Sequence, residues 1–102
     1  MLYHAKRYGK YFVLKGLSAD CQTLTDHLLL QEKEFSFGIS LSHPHIAETY
    51  SLEEIEGCGR CIVMEYVDGT TLAEWLTTNP SKVARQRVMM QLLDALEYIH
   101  SL

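Results

Sequence analysis

The sequence predicts an α+β fold: a twisted antiparallel sheet of about four strands carrying one helix on a face, followed by two further helices. Three observations predict it. Up to residue 67, short runs rich in β-branched and aromatic residues are separated by glycine-bearing turns. Among them, residues 23–41 carry apolar side chains at helical spacing. After Gly69 the periodicity is helical throughout.

The 102 residues, 47% of them hydrophobic, suit one small globular domain or a piece of a larger one. A net charge of -4 provides no basic patch of the kind nucleic acid requires. No apolar run reaches the length of a membrane helix, and residues 1–7 lack the core of a signal peptide. A cytoplasmic chain with neither nucleic acid nor membrane as partner is expected.

Residues 2–7 and 11–17 flank Tyr8-Gly9-Lys10 and read as a hairpin. Tyr11, Val13 and Lys15 share one face of its second strand, and Phe12 and Leu14 the other. Lys15 is thus a cation on a strand that is apolar on both faces; either its stem packs while its ammonium reaches solvent, or it has a buried partner.

Residues 18–22 form a loop, after which Thr23 or Thr25 caps a helix running to about Leu41. Leu24, Leu28, Phe35 and Ile39 make one stripe; His27, Leu30, Glu34, Phe37 and Leu41 make a second. Glu34 therefore lies on an apolar stripe, where a carboxylate needs a cation, and Lys15 is the candidate. The alternative is a surface position at the helix edge. Glu32 and Lys33 point elsewhere and read as solvated. Pro44 ends the helix.

Residues 46–55 read as a strand with Tyr50 and Leu52 on one face, and 60–67 as its hairpin partner. Cys58 and Cys61 flank the turn. A zinc site would need two more ligands, and a redox pair usually opens a helix, so two incidental thiols are the expectation. His43 and His45 are too few for a metal site. Asp68-Gly69 stops the last strand, and Thr71 with Glu74 has the spacing of a capping box before Leu72, Trp75 and Leu76. A linker between two unlike halves is a natural cleft wall. Asn79 and Pro80 suit the start of a final helix over 81–102, with Val88, Leu92, Ala95 and Ile99 as its stripe and Met89, Leu93 and Leu96 widening it.

Four segments together resemble the beginning of a eukaryotic-type Ser/Thr protein kinase domain. Phe12-Val13-Leu14-Lys15 is similar to the V-A-I-K strand. Glu34 precedes Leu41-Ser42-His43-Pro44-His45-Ile46, as the αC helix precedes an H-P-N-I segment. Residues 62–72, Ile-Val-Met-Glu-Tyr-Val-Asp-Gly-Thr-Thr-Leu, are similar to the hinge. Residues 92–101 are similar to the αE helix. The resemblance implies an N-lobe over 1–67, without its Gly-rich loop, and a hinge exit with the first C-lobe helices over 68–102. It implies an ATP-binding transferase in which Lys15 holds the α- and β-phosphates and pairs with Glu34. Met64 would be the gatekeeper, the carbonyl of Glu65 and the backbone of Val67 would bond adenine, Leu2 and Val13 would sandwich the base, and Thr71 would lie near the ribose. Gly38 and Thr49 depart from the apolar residues the family usually places there.

Residues 1–102 contain no H-R-D and no D-F-G segment, so this stretch alone is expected to be inactive, with Mg2+ bound only in the intact domain. The alternative reading is a pseudokinase-type module that binds or scaffolds without catalysis. The apolar stripe over 81–101 also leads us to expect that the isolated chain forms homo-oligomers.

Overall fold

The computed structural model describes residues 1–18, 21 and 24–102. Along the chain run β1 (Leu2–Arg7), β2 (Lys10–Gly16), α1 (Thr25–Ile39), β3 (Thr49–Ile55), β4 (Gly59–Glu65), α2 (Leu72–Thr77) and α3 (Lys82–His100). The expected α+β fold is the observed one. The chain forms two compact units, residues 1–42 with 47–66 and residues 43–46 with 67–102.

The first unit is built on a four-stranded antiparallel sheet of order β1-β2-β4-β3. Tyr8 and Gly9, at φ 53° and 77°, make a two-residue turn whose twist matches the flanking strands. That turn sets the register Leu2↔Lys15, His4↔Val13 and Lys6↔Tyr11, and β2 pairs on to β4 as Val13↔Met64 and Lys15↔Ile62. Lys15, Val13, Met64 and Ile62 therefore share one face. The opposite face carries the main core, with Leu14, Cys61 and Val63 buried among Tyr3, Phe12 and Tyr50.

One register expectation fails. Between Thr49 and Ser51 the β3–β4 pairing slips by a residue. Tyr50 is left to pack edge-on against Phe12 on the core face, while Leu52 pairs with Ile62 on the other. A single extra residue reverses the faces on either side of it, so Tyr50 and Leu52 do not share one. The strand also begins at Thr49, later than the expected residue 46, and β4 stops at Glu65 rather than 67.

The helix α1 is shorter and differently capped than expected. Leu24 occupies the cap position with no side-chain hydrogen bond, Thr25 is already helical, and Thr23 lies outside the described residues. Its C-cap is Ser40. Only Gln31 is buried, with Leu28, Phe35 and Gly38 half-buried along the same side; Leu24, Leu30, Phe37 and Ile39 are exposed. The helix rests on the sheet along 28–31–35–38, so Leu28 and Phe35 of the first expected stripe lie on its packing face while Leu24 and Ile39 do not, and the second stripe is not that face.

The second unit holds α2 and α3. Thr71 Oγ1 accepts from the Glu74 amide at 3.1 Å, the predicted cap of α2. The start of α3 is corrected: Ser81, not Asn79, is the cap, accepting from the Ala84 amide at 3.1 Å. Asn79, at φ 55°, instead closes α2, its amide donating to the Leu76 carbonyl at 3.2 Å. Asparagine tolerates this left-handed position better than most residues, which is why a residue that can start one helix ends another here. Within this unit His43 Nε2 lies 3.2 Å from Asp94 Oδ2, and the His43 ring packs against Tyr98. An open apolar cavity of about 370 Å³ is lined by Thr70, Thr71, Leu72, Trp75, Val88 and Leu92. Among the described residues no helix is long and apolar enough to cross a membrane.

Candidate active site: a strand lysine and a helix glutamate

Register alone directs Lys15. It sits opposite Leu2 on β1 and Ile62 on β4, at the α1-bearing end of the face that also presents Val13 and Met64. Its ammonium donates to Glu34 Oε1 of α1. The pair is close but not sequestered, since the two side chains are 45% and 49% exposed. Lys15 is thus the expected partner of Glu34, but the surroundings differ from those expected: Leu30 and Phe37, which flank Glu34 on its stripe, are themselves exposed. At such exposure an ion pair contributes about 0.2–1 kcal/mol, enough to orient two side chains but not to hold a helix.

Besides its packing along 28–31–35–38, α1 meets the sheet through a polar cluster that sequence reasoning missed. Arg60, at the start of β4, donates from Nε to Gln31 Oε1 at 2.8 Å, from Nη2 to the Leu28 carbonyl at 2.6 Å and from Nη1 to Glu32 Oε1 at 3.0 Å. Gln31 Nε2 donates back to the Arg60 carbonyl at 2.8 Å. Glu32, expected to be merely solvated, is therefore an ion-pair partner. The signal available was weak: a glutamine one turn before Glu34, and an arginine two residues from Ile62 on the same strand face.

The other expected site residues fall on both units. Leu2 and Val13 lie on the Lys15 face, Leu2 exposed and Val13 half-buried, and Met64 is half-buried beside Val13. Glu65 ends β4 in a double tie: its amide donates to the Glu48 carbonyl at 2.8 Å, and its Oε1 accepts from the Glu48 amide at 2.9 Å. Its side chain is thereby engaged and its backbone position fixed. Val67 and Thr71 belong to the second unit, Val67 exposed and Thr71 spent as a helix cap.

Cys58 and Cys61 belong to the core on the opposite face. Cys61 is fully buried in the sheet core, and burial pushes its thiol above the ordinary range, the reverse of what activates a nucleophile. Among the described residues no cluster of three or more His, Cys, Asp or Glu side chains is placed to hold a metal ion.

The arrangement can neutralise and orient an anion: a lysine ammonium fixed by a carboxylate, next to an apolar strip. The family model described as protein kinase domain matches residues 1–102. A probable serine/threonine-protein kinase of Streptomyces coelicolor is 35% identical over 97% of this chain. The serine/threonine-protein kinase PrkC of Bacillus subtilis is 36% identical over 67% of it. The chain spans 16% and 11% of the lengths of these two relatives. With a match along its whole length and a strand lysine set against a helix glutamate, the chain belongs to the protein kinase domain family.

Proposed function

We propose that this chain is the nucleotide-binding portion of an ATP-dependent protein kinase that transfers phosphate to Ser or Thr of protein substrates, acting in the cytoplasm. The observation that carries the reading is the Lys15–Glu34 pair on the face that also presents Val13 and Met64. Residues 1–67 serve as the N-lobe and 68–102 as the hinge exit and first C-lobe helices. Lys15 orients the α- and β-phosphates and Glu34 holds Lys15 in place; Leu2 and Val13 supply apolar contact to the base, with Met64 behind it. The Glu65 carbonyl and the Val67 backbone bond the adenine edge, and Thr71 lies towards the ribose. The donor set fits this substrate: a cation for phosphate beside an apolar strip for a flat base. Mg2+ would be held in the intact domain by residues outside 1–102, and it would neutralise charge on the phosphates.

An acyl-phosphate ATP probe that transfers its acyl group to a phosphate-side lysine tests the reading in the full-length protein. Labelling of Lys15, competed by ATP and lost in Lys15→Ala, is expected. Labelling that ignores ATP, or falls on other lysines alone, would overturn it.

A binding or scaffolding module without catalysis is the second reading, favoured by one observation. Gly38 and Thr49 meet where the family usually sets two apolar side chains, so α1 is held by a small and a polar residue there. Phosphate transfer by the full-length protein, lost in Lys15→Ala, would exclude it.

A further inference from the structure

Of the large apolar residues of α1, only Leu28 and Phe35 turn towards the sheet, and both are half-buried. Leu29, Leu30 and Phe37 of the helix are at least half exposed, its N-terminus has no side-chain cap, and its one buried residue is a glutamine. That glutamine is only 4% exposed and spends both ends of its amide on Arg60. We propose that Arg60 is the positioning residue of the Lys15–Glu34 pair: by gripping Leu28, Gln31 and Glu32 it sets the height and rotation of α1 that keep Glu34 over Lys15. The proposal rests on the assignment of Lys15 and Glu34 made above.

The geometry supports this on both elements. On the helix, Gln31 and Glu34 are three residues apart, about 60° around the axis and about 4.5 Å along it. On the sheet, Arg60 and Ile62 are two residues apart on one face, about 6.6 Å, and Ile62 pairs directly with Lys15. The two contacts therefore run side by side, each joining the same helix to the same sheet face. They differ in strength. The lysine contact is single and half exposed, whereas Arg60 is 22% exposed and makes three donations in different directions. Because a guanidinium is planar and its donors are fixed in a fork, bonding a carbonyl, an amide and a carboxylate at once fixes direction as well as distance. A helix free to turn about its axis would carry Glu34 away from the sheet; Arg60 removes that freedom one turn earlier.

Zero-length carbodiimide cross-linking of the purified chain, followed by mass spectrometry, reads the pair directly, since it joins a lysine to a carboxylate only when they touch. The wild-type chain should give a Lys15–Glu34 cross-link, absent in Glu34→Gln. Arg60→Met should lower its yield about two- to fivefold, the range in which an exposed ion pair responds to loss of orientation. Arg60→Lys should not restore it, because one ammonium cannot span the three acceptors. Val63→Ala, a core change on the opposite face, serves as a destabilised control and should keep the wild-type yield. An undiminished cross-link in Arg60→Met would overturn the positioning role while leaving the pair intact. An equal loss in Val63→Ala would also overturn it, by showing that general loosening is enough. No cross-link in the wild type would remove the Lys15–Glu34 assignment itself, and the proposal with it.

Discussion

Gly38 of α1 and Thr49 of β3 are in direct contact: a Cβ on Gly38 would lie 2.6 Å from Thr49 Oγ1 and 3.3 Å from Thr49 Cβ. The glycine is there because the helix comes down onto the strand at that point, and nothing larger fits. Gly38 is the second-last residue of α1, so the cost of glycine relative to alanine inside a helix, about 1 kcal/mol, is the most that Gly38→Ala could recover from helix propensity. Here overpacking against a stiff β-branched side chain, about 1–3 kcal/mol, should win. We expect Gly38→Ala to lower the urea midpoint. The loss should shrink in a Thr49→Ala background, where the nearest atom is gone. Equal losses in the two backgrounds would mean that the contact does not limit the approach of the helix.

This contact also shows what kind of information the sequence lacked. Features set by neighbours in the chain were legible: the hairpin at Tyr8-Gly9, the cap at Thr71 and the alternation that put Lys15 and Val13 on one face. The helix face was legible only in Leu28 and Phe35. Gln31 and Gly38 are neither apolar nor large, so a periodicity search passed over them in favour of Leu30 and Phe37, which are exposed. Their burial follows from partners distant in sequence, Arg60 and Thr49, that no local pattern announces. Likewise the slip after Thr49 depends on how β3 meets β4, so the strand was expected but not the faces of Tyr50 and Leu52. The Lys15–Glu34 pairing was anticipated because charge on an otherwise apolar element demands a partner, even though the site is half open.

Acid should weaken the first unit through Glu53. Its carboxylate accepts from Arg7 Nη2 at 3.1 Å and from Ser51 Oγ, and the hydrogen bond from Arg7, then that from Ser51, holds its pKa below the ordinary value of 4.5. A depressed folded-state pKa contributes stability that is present above the unfolded value and lost as pH falls through the folded one. The unfolding midpoint of wild type should therefore exceed that of Glu53→Gln at pH 7, and the difference should close as pH falls from about 5 towards 3. A difference that is constant over this range would show that Glu53 acts through packing, not charge.

The three cysteines should react in an order set by burial. Cys61 is fully buried, with its thiol raised above the ordinary range chiefly by desolvation; Cys21 and Cys58 are half-buried. At pH 8 iodoacetamide should modify Cys58 and Cys21 in the native protein and reach Cys61 only at the rate of unfolding. Adding urea to the transition midpoint should erase the difference. Rapid modification of Cys61 without denaturant would place it outside the core and would overturn the packing of Leu14, Cys61 and Val63 between β2 and β4.

The final helix should drive self-association of the isolated chain. Met89, Leu92, Leu93 and Leu96 lie 44–56% exposed on α3, with Leu92 and Leu96 one turn apart. Fully burying one leucine is worth about 1.5–3 kcal/mol, so two copies covering a few such side chains gain enough to offset much of the cost of pairing. A contiguous apolar patch of this kind marks an interaction surface or an aggregation hazard. Sedimentation of residues 1–102 at micromolar concentration should show a dimer or larger species. The double variant Leu92→Lys/Leu96→Lys should sediment as a monomer, with α3 retained by circular dichroism. If wild type is already monomeric and no less soluble than the double variant, the leucines are not an association surface. If both associate equally, the contact lies elsewhere, and the strand edge of β1, which among the described residues pairs only with β2, is the next place to look.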